Sequence, residues 1–240
     1  MPAGLDGNPR PIRTIERDAV LSSIADRVCR VGRRRALVGV DGRSGSGKST
    51  FADELADRLR ERGVVVIRST TDSFHRPQGE RLARGVNSAE GYYLDSHDLG
   101  RMVNELLLPF RQGADHVLTA AFDEPTDNRL ERVADVARDA VLVFDGLFLH
   151  RPEFAAQWDV SVYLQSDERR DAEWLRYLLA DLPENATQRA VELDRRLESA
   201  RWPRYRRGWE RYVVDVEPHR RATVVVDNND LSRPRVLDET

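Results

Sequence analysis

The chain has 240 residues, 40% of them hydrophobic and 33% charged, with a formal net charge of −3. That length suits one ordinary α/β domain or two small ones, with a core that removes roughly 70% of the unfolded chain's surface from water. The composition excludes a fibrous or disordered chain, no apolar run nears the ~18 residues of a membrane span, and a negative charge gives no general pull toward nucleic acid or anionic lipid.

Residues 1–11 are polar and Pro/Gly-rich, lack the apolar stretch of a secretory signal, and read as a flexible N-terminus. A helical pattern runs from Ile15 to Val31. Ala36 to Val40 is a short apolar run suited to a buried parallel strand. Gly42-Arg43-Ser44-Gly45-Ser46-Gly47-Lys48-Ser49 follows it and fits the phosphate-loop pattern G-x-x-x-x-G-K-[ST], with Thr50 next. Phe51, Leu55 and Leu59 then form the apolar stripe of a helix that stops at Gly63. Further strands are predicted at Val64–Ile67, Ala140–Phe144, Val160–Leu164 and Thr223–Val226, and further helices at Leu99–Phe110 and from about Asp167 to Arg201. Leu130–Ala140 fits a helix or a ragged strand equally well. Strands alternating with helices predict an α/β fold: a mainly parallel sheet flanked by helices, in a single domain over 12–234. A tail is expected at 235–240. One cysteine, Cys29, excludes an internal disulfide. With no signal and no span, the expected setting is cytoplasmic.

Of the 38 basic residues, 37 are arginine and one is lysine, and that lysine is Lys48 of the loop. Glycines 42, 45 and 47 let backbone N–H groups close on phosphate oxygens, and the helix starting near Lys48 turns its positive end to the same anion. A compact ammonium reaches the β- and γ-phosphates where a planar guanidinium is too broad. Ser49 offers a hydroxyl to Mg²⁺, and Asp145, closing the strand Ala140–Phe144, is placed as the acid that supports the ion. Asp72 lies at the C-terminal tip of the second strand, where ligands of an open parallel sheet bind, and could accept a proton from an alcohol. An Asp-Ser pair taken alone more often caps a helix.

Taken together, these segments resemble the phosphoribulokinase/uridine kinase family, and the uridine kinases within it, from about Arg35 to Pro234. Asp72-Ser73-Phe74-His75-Arg76 resembles the segment that carries the catalytic base. Tyr93 to Asp98 resembles the segment whose first carboxylate, here Asp95, holds the ribose hydroxyls. Phe122 to Arg129 resembles the nucleoside-contacting segment, and Val226-Asp227-Asn228 the strand end near adenine. The resemblance implies an ATP- and Mg²⁺-dependent kinase with a helical lid at about 167–202. Lys48 and Asp72 would be catalytic, residues 42–50 would bind ATP, and Ser49 and Asp145 the metal. His75, Asp95, Phe122, Asp127, Arg129 and Arg176 would bind the acceptor.

The departures fall where a base would be read. Asp127 replaces a histidine, Phe122 and His75 replace tyrosines, and the lid's arginine run is only partly kept at Arg169, Arg170 and Arg176. Acceptors other than a nucleoside therefore stay open, pantothenate-like or sugar-phosphate-like, as does a catalytically silent ATP-binding protein. A Ras-like GTPase fails for want of a second lysine, and an ABC-type ATPase for want of its signature segment. Arg201–Arg207 mixes cations with aromatics but is diluted by nearby acids, so no nucleic-acid or membrane partner is expected; a homo-oligomer is left open. The five histidines show no metal-ligand spacing along the chain.

Overall fold

The computed structural model describes residues 14–32, 34–154, 157–167 and 201–239, together with 185, 187–189 and 191. Most of the expected N-terminal arm and lid, with Arg169, Arg170 and Arg176, therefore lies outside the described residues. Thr14 caps α1 (Ile15–Arg30) by accepting from the Arg17 N–H, with acids in the first turn and arginines in the last, as the helix dipole favours. β1 (Ala36–Gly42) leads through the glycine loop into α2 (Lys48–Glu61). β2 (Val66–Thr70) runs into a 3-10 turn at Thr71–Phe74, then short helices α3 (Gln78–Arg81) and α4 (Ala89–Asp95). Residues 99–112 form one helical stretch, α5 (Leu99–Arg101) and α6 (Leu108–Gln112), joined by a π turn at Met102–Leu107. That widened turn precedes Pro109, which has no N–H to give the ladder.

β3 (His116–Asp123) and β4 (Asn128–Asp135) make an antiparallel hairpin, so the ambiguous segment after Leu130 is a strand for most of its length. β5 (Val141–Gly146) and β6 (Val160–Gln165) follow, then α7 (Arg201–Val216), α8 (Pro218–Arg221), β7 (Val224–Asp227) and β8 (Arg235–Glu239). The main sheet has the order β2-β5-β1-β6-β7-β8. Its first five strands are parallel, and β8 pairs antiparallel with β7. Residues 235–239, expected as a tail, are thus an edge strand; their charged, exposed pattern hid them from an apolar-run reading.

The period-2 alternation of β1 sorts the core. Val38 and Val40 pack with Leu21, Ile24, Phe51 and Leu55 of α1 and α2. Leu37 points the other way, joining Leu142, Phe144, Leu106, Phe110 and Leu118. A third, aromatic cluster of Tyr92, Tyr93, Phe148 and Tyr212 ties α4 and α7 to the end of the sheet. The two-faced sheet carries its C-terminal strand ends to one edge, and β1, β2 and β5 deliver their loops there.

Candidate active site

The phosphate loop is built on two left-handed glycines, Gly45 at φ 76° and Gly47 at φ 84°, the second of which caps α2. A Cβ on Gly42 would stand 2.6 Å from Ser46 Oγ, so the loop closes on itself only because position 42 is glycine. Lys48 Nζ donates to the Arg43 carbonyl at 2.8 Å, arching over the loop. Burial lowers the Lys48 pKa, against the opposing pull of Asp72, Asp145 and Asp41. Ser46 Oγ is buried without a partner among the described residues. Asn228 at the end of β7 donates to the Ser46 carbonyl at 2.7 Å, and the buried Arg17 reaches Asn228, Leu231 and Glu54 from α1.

Ser49 Oγ donates to Asp145 Oδ2 at 2.8 Å, bringing together the two residues expected at the metal. The other Asp145 oxygen accepts from Arg68 Nη2 at 2.8 Å. A hydroxyl beside a carboxylate, both hard oxygen donors, suits Mg²⁺, which takes one or two protein oxygens and completes its shell with water and phosphate. The glycine cradle and the orphaned Ser46 hydroxyl likewise fit a bound polyphosphate.

Asp72 sits on the turn after β2 with its side chain 67% exposed. That turn packs on the end of β5 because residue 146 is glycine: a Cβ there would lie 2.2 Å from Thr71 Cγ2. Between this turn and the loop lies a cavity of about 490 Å³. Its walls include Ser44 of the loop, Asp72 and His75, Tyr92 of α4, Phe122 and Glu124 at the hairpin tip, and Arg204 and Tyr205 of α7. Phe122 and His75, two of the expected acceptor contacts, are among the residues that line it.

Of the other expected acceptor residues, Arg176 lies outside the described residues, and Asp95, Asp127 and Arg129 are not among those lining it. Asp95 is drawn away by Arg84, which donates to it at 2.7 Å. Asp127, in a left-handed conformation, accepts from the Gln78 N–H at 2.8 Å and pairs with Arg81, thereby holding α3. Asp127 is followed by a strand, so the helix end it serves is that of α3, from whose first N–H it accepts, and not one of its own segment. Arg129 lines a separate small cavity of about 40 Å³ with Arg76 and Arg101.

Several contributors escaped the sequence reading. Arg81 and Arg204 line the large cavity, each with an Nε buried and unpartnered among the described residues. Arg204 also lies over the Tyr205 ring, 4.9 Å from its centroid. Asp41, fully buried beside the loop, accepts from the Gly42 N–H at 2.8 Å, from His150 Nδ1 at 2.8 Å and from the Tyr212 hydroxyl. A carboxylate closing an otherwise apolar strand was its one legible sign, the same sign that pointed to Asp145. The histidines also differ from expectation: pairing between distant segments brings the rings of His75 and His97 to 4.5 Å. Burial holds His97 well below the ordinary histidine pKa, with His75 adding to the effect, and burial lowers His75 too.

Residues 37–213 match the profile of the Phosphoribulokinase / Uridine kinase family. The chain is 27% identical over 155 residues to a uridine kinase of Leuconostoc citreum, covering 64% of this chain and 72% of that one. It is 28% identical over 156 residues to a uridine kinase of Clostridium botulinum, covering 63% and 71%. The fold resembles the solved structure of a possible uridine kinase from Bacillus stearothermophilus at a TM-score of 0.67 and 23% identity, covering 88% of this chain and 99% of that one.

Proposed function

Because the chain belongs to the phosphoribulokinase/uridine kinase family and is a phosphotransferase with an alcohol acceptor, we propose that it transfers the γ-phosphate of ATP to the 5′-hydroxyl of a nucleoside. One observation carries this reading. Ser44 of the phosphate loop and the Asp72 carboxylate line the same cavity, whose remaining wall includes the flat rings of Tyr92, Phe122 and Tyr205. Donor, base and a stacking surface for a planar group thus share one space of nucleoside size.

The loop N–H groups and the start of α2 bind the donor phosphates, and Lys48 leaves the Arg43 carbonyl to bridge the β- and γ-phosphates. Ser49 and Asp145 would hold Mg²⁺, which when bound offsets charge on the phosphates. Asp72 accepts the proton of the acceptor hydroxyl as its oxygen bonds to the γ-phosphorus. The bond from that phosphorus to the β–γ bridging oxygen breaks, ADP departs, and Asp72 returns its proton to solvent. Glu124, which also pairs with Arg81, and Asp123, which also accepts from Thr126, line the cavity and keep lone pairs for sugar hydroxyls, the task expected of Asp95 as well.

A second reading rests on Arg204, a guanidinium on the cavity wall beside Arg81, which is already paired with Glu124 and Asp127. A cation there suits an acceptor with an anionic group, such as a sugar phosphate. A panel of uridine, cytidine, ribulose 5-phosphate and pantothenate with ATP·Mg²⁺, scored by ADP release as kcat/KM, separates the two. The nucleoside reading expects uridine or cytidine to lead. A lead of ten-fold or more for either anionic alcohol overturns it.

A further inference from the structure

His75 and His97 lie opposite each other across an isolated antiparallel bridge. The flanking residues carry its hydrogen bonds, Arg76 N–H to the Ser96 carbonyl at 3.0 Å and Asp98 N–H to the Phe74 carbonyl at 2.8 Å. The histidines are therefore a non-hydrogen-bonded pair, the kind in which opposed side chains stand closest. The backbone itself fixes their ring-to-ring approach. A stacked wall would need only carbon, but His97 is 5% exposed and its Nε2 is buried without a partner among the described residues. Asp72 Oδ1 lies 4.0 Å from that nitrogen. One ligand atom from each of Asp72, His75 and His97 falls within 4.8 Å of the other two. His75 Nδ1 is 3.0 Å from the Asp72 carbonyl; donating there leaves Nε2 its lone pair, the arrangement by which metal-binding imidazoles are oriented.

We propose that Asp72, His75 and His97 form a three-ligand site for a divalent ion of the Zn²⁺ class, beside the acceptor cavity, and that filling it stops phosphoryl transfer. Two imidazoles and a carboxylate with one position left open match the donors zinc accepts. Bonds of about 2.0–2.2 Å put tetrahedral ligand atoms ~3.4 Å apart, so the three atoms must draw in from their separations of up to 4.8 Å, Asp72 by rotation of its exposed side chain and the imidazoles by turning about theirs. Ligation uses the lone pairs of two neutral imidazoles and an ionised carboxylate, and breaks no bond. Mg²⁺, which prefers an octahedron of oxygens, does not compete. The inhibitory consequence rests on Asp72 being the base of the proposed reaction; the binding does not.

The test uses the full chain without an affinity tag and with Cys29→Ser, since that thiol is exposed. Co²⁺ serves as the probe, read by the intense visible band of a low-symmetry, four-coordinate ion and by displacement with Zn²⁺. One ion per chain is expected, with affinity falling at least ten-fold in His97→Gln, His75→Ala and Asp72→Asn. Asp72 is exposed, so Asp72→Asn keeps the fold and decides the matter should a histidine variant misfold, which circular dichroism reports. No band, or equal affinity in all variants, overturns the site. Zn²⁺ should also inhibit turnover in the presence of excess ATP·Mg²⁺, with the inhibition constant raised at least ten-fold in His97→Gln. Binding without inhibition overturns the inhibitory claim and Asp72's role as base, while leaving the nucleoside panel to judge the acceptor.

Discussion

Lys48 stands where 37 arginines could have stood and none does. Its ammonium curls over the loop onto the Arg43 carbonyl, a path a flat five-donor fork cannot follow. Lys48→Arg is expected to lose about 10²-fold or more in kcat, the scale of one charge-stabilising donor, with Lys48→Ala no better. Near-normal turnover of the arginine variant would refute that fit. Asp72 and Asp145 should separate cleanly in kinetics. Asp72→Asn should lower kcat by about 10²–10⁴-fold with KM for ATP little changed, because the carboxylate serves the acceptor alone. Asp145→Ala should instead shift the Mg²⁺ concentration for half-maximal rate, since it strips a carboxylate from Ser49 and leaves Arg68 with Asp53 as its carboxylate partner. The legibility of these residues has a physical cause. A phosphate cradle is made by one contiguous stretch of backbone, so its spacing survives in the sequence. The acceptor cavity is gathered from separate segments, so Tyr92, Arg81 and Arg204 carry no local signature, and the pairing of Asp95 with Arg84 and of Asp127 with Arg81 joins residues of different segments.

Elements with one dominant apolar face were read correctly and those without were not. α1, α2 and the central strands bury a stripe or both faces, which leaves a period in the sequence. β4 exposes most of its residues, Val133 among them at 57%, so its pattern could not choose between helix and strand. α7 is rich in arginine at its start, yet it turns Tyr212 inward to Asp41 at the end of β1, and the Tyr212 oxygen accepts from the His150 N–H at 2.9 Å. This joint fastens a helix to the strand that enters the phosphate loop. Burial pushes the Tyr212 hydroxyl well above the usual phenol pKa, so it stays a donor to the carboxylate. Tyr212→Phe leaves a buried carboxylate short of a donor and a buried N–H short of an acceptor. The expected cost is about 1–3 kcal/mol, seen as a lower midpoint in denaturant at unchanged m-value. An unchanged midpoint would mean that the joint bears no strain.

Across the whole molecule, the alternation of strands and helices announced the parallel sheet, whereas the order β2-β5-β1-β6-β7-β8 is fixed by long-range pairing that no local window contains. The loop is braced from α1, β7 and α7 at once, so a ligand filling it should stabilise the entire domain. With ATP·Mg²⁺ at one hundred times its dissociation constant, about 2.7 kcal/mol of stabilisation is expected. For a chain of this size that is roughly 5–10 °C in Tm by differential scanning fluorimetry, and most of it should vanish in Lys48→Ala. Equal shifts in the two proteins would put the nucleotide elsewhere. The bracing by Asn228 also sets a schedule for synthesis. The loop leaves the ribosome early, but the side chain that clasps the Ser46 carbonyl is translated about 180 residues later, a delay of roughly 10–40 s at 5–20 residues per second. Through that interval the Ser46 carbonyl lacks the donor that Asn228 supplies, so a chain cut short before Asn228 is expected to bind the proposed nucleotide more weakly than the full chain, as a titration of the two with a fluorescent nucleotide would show.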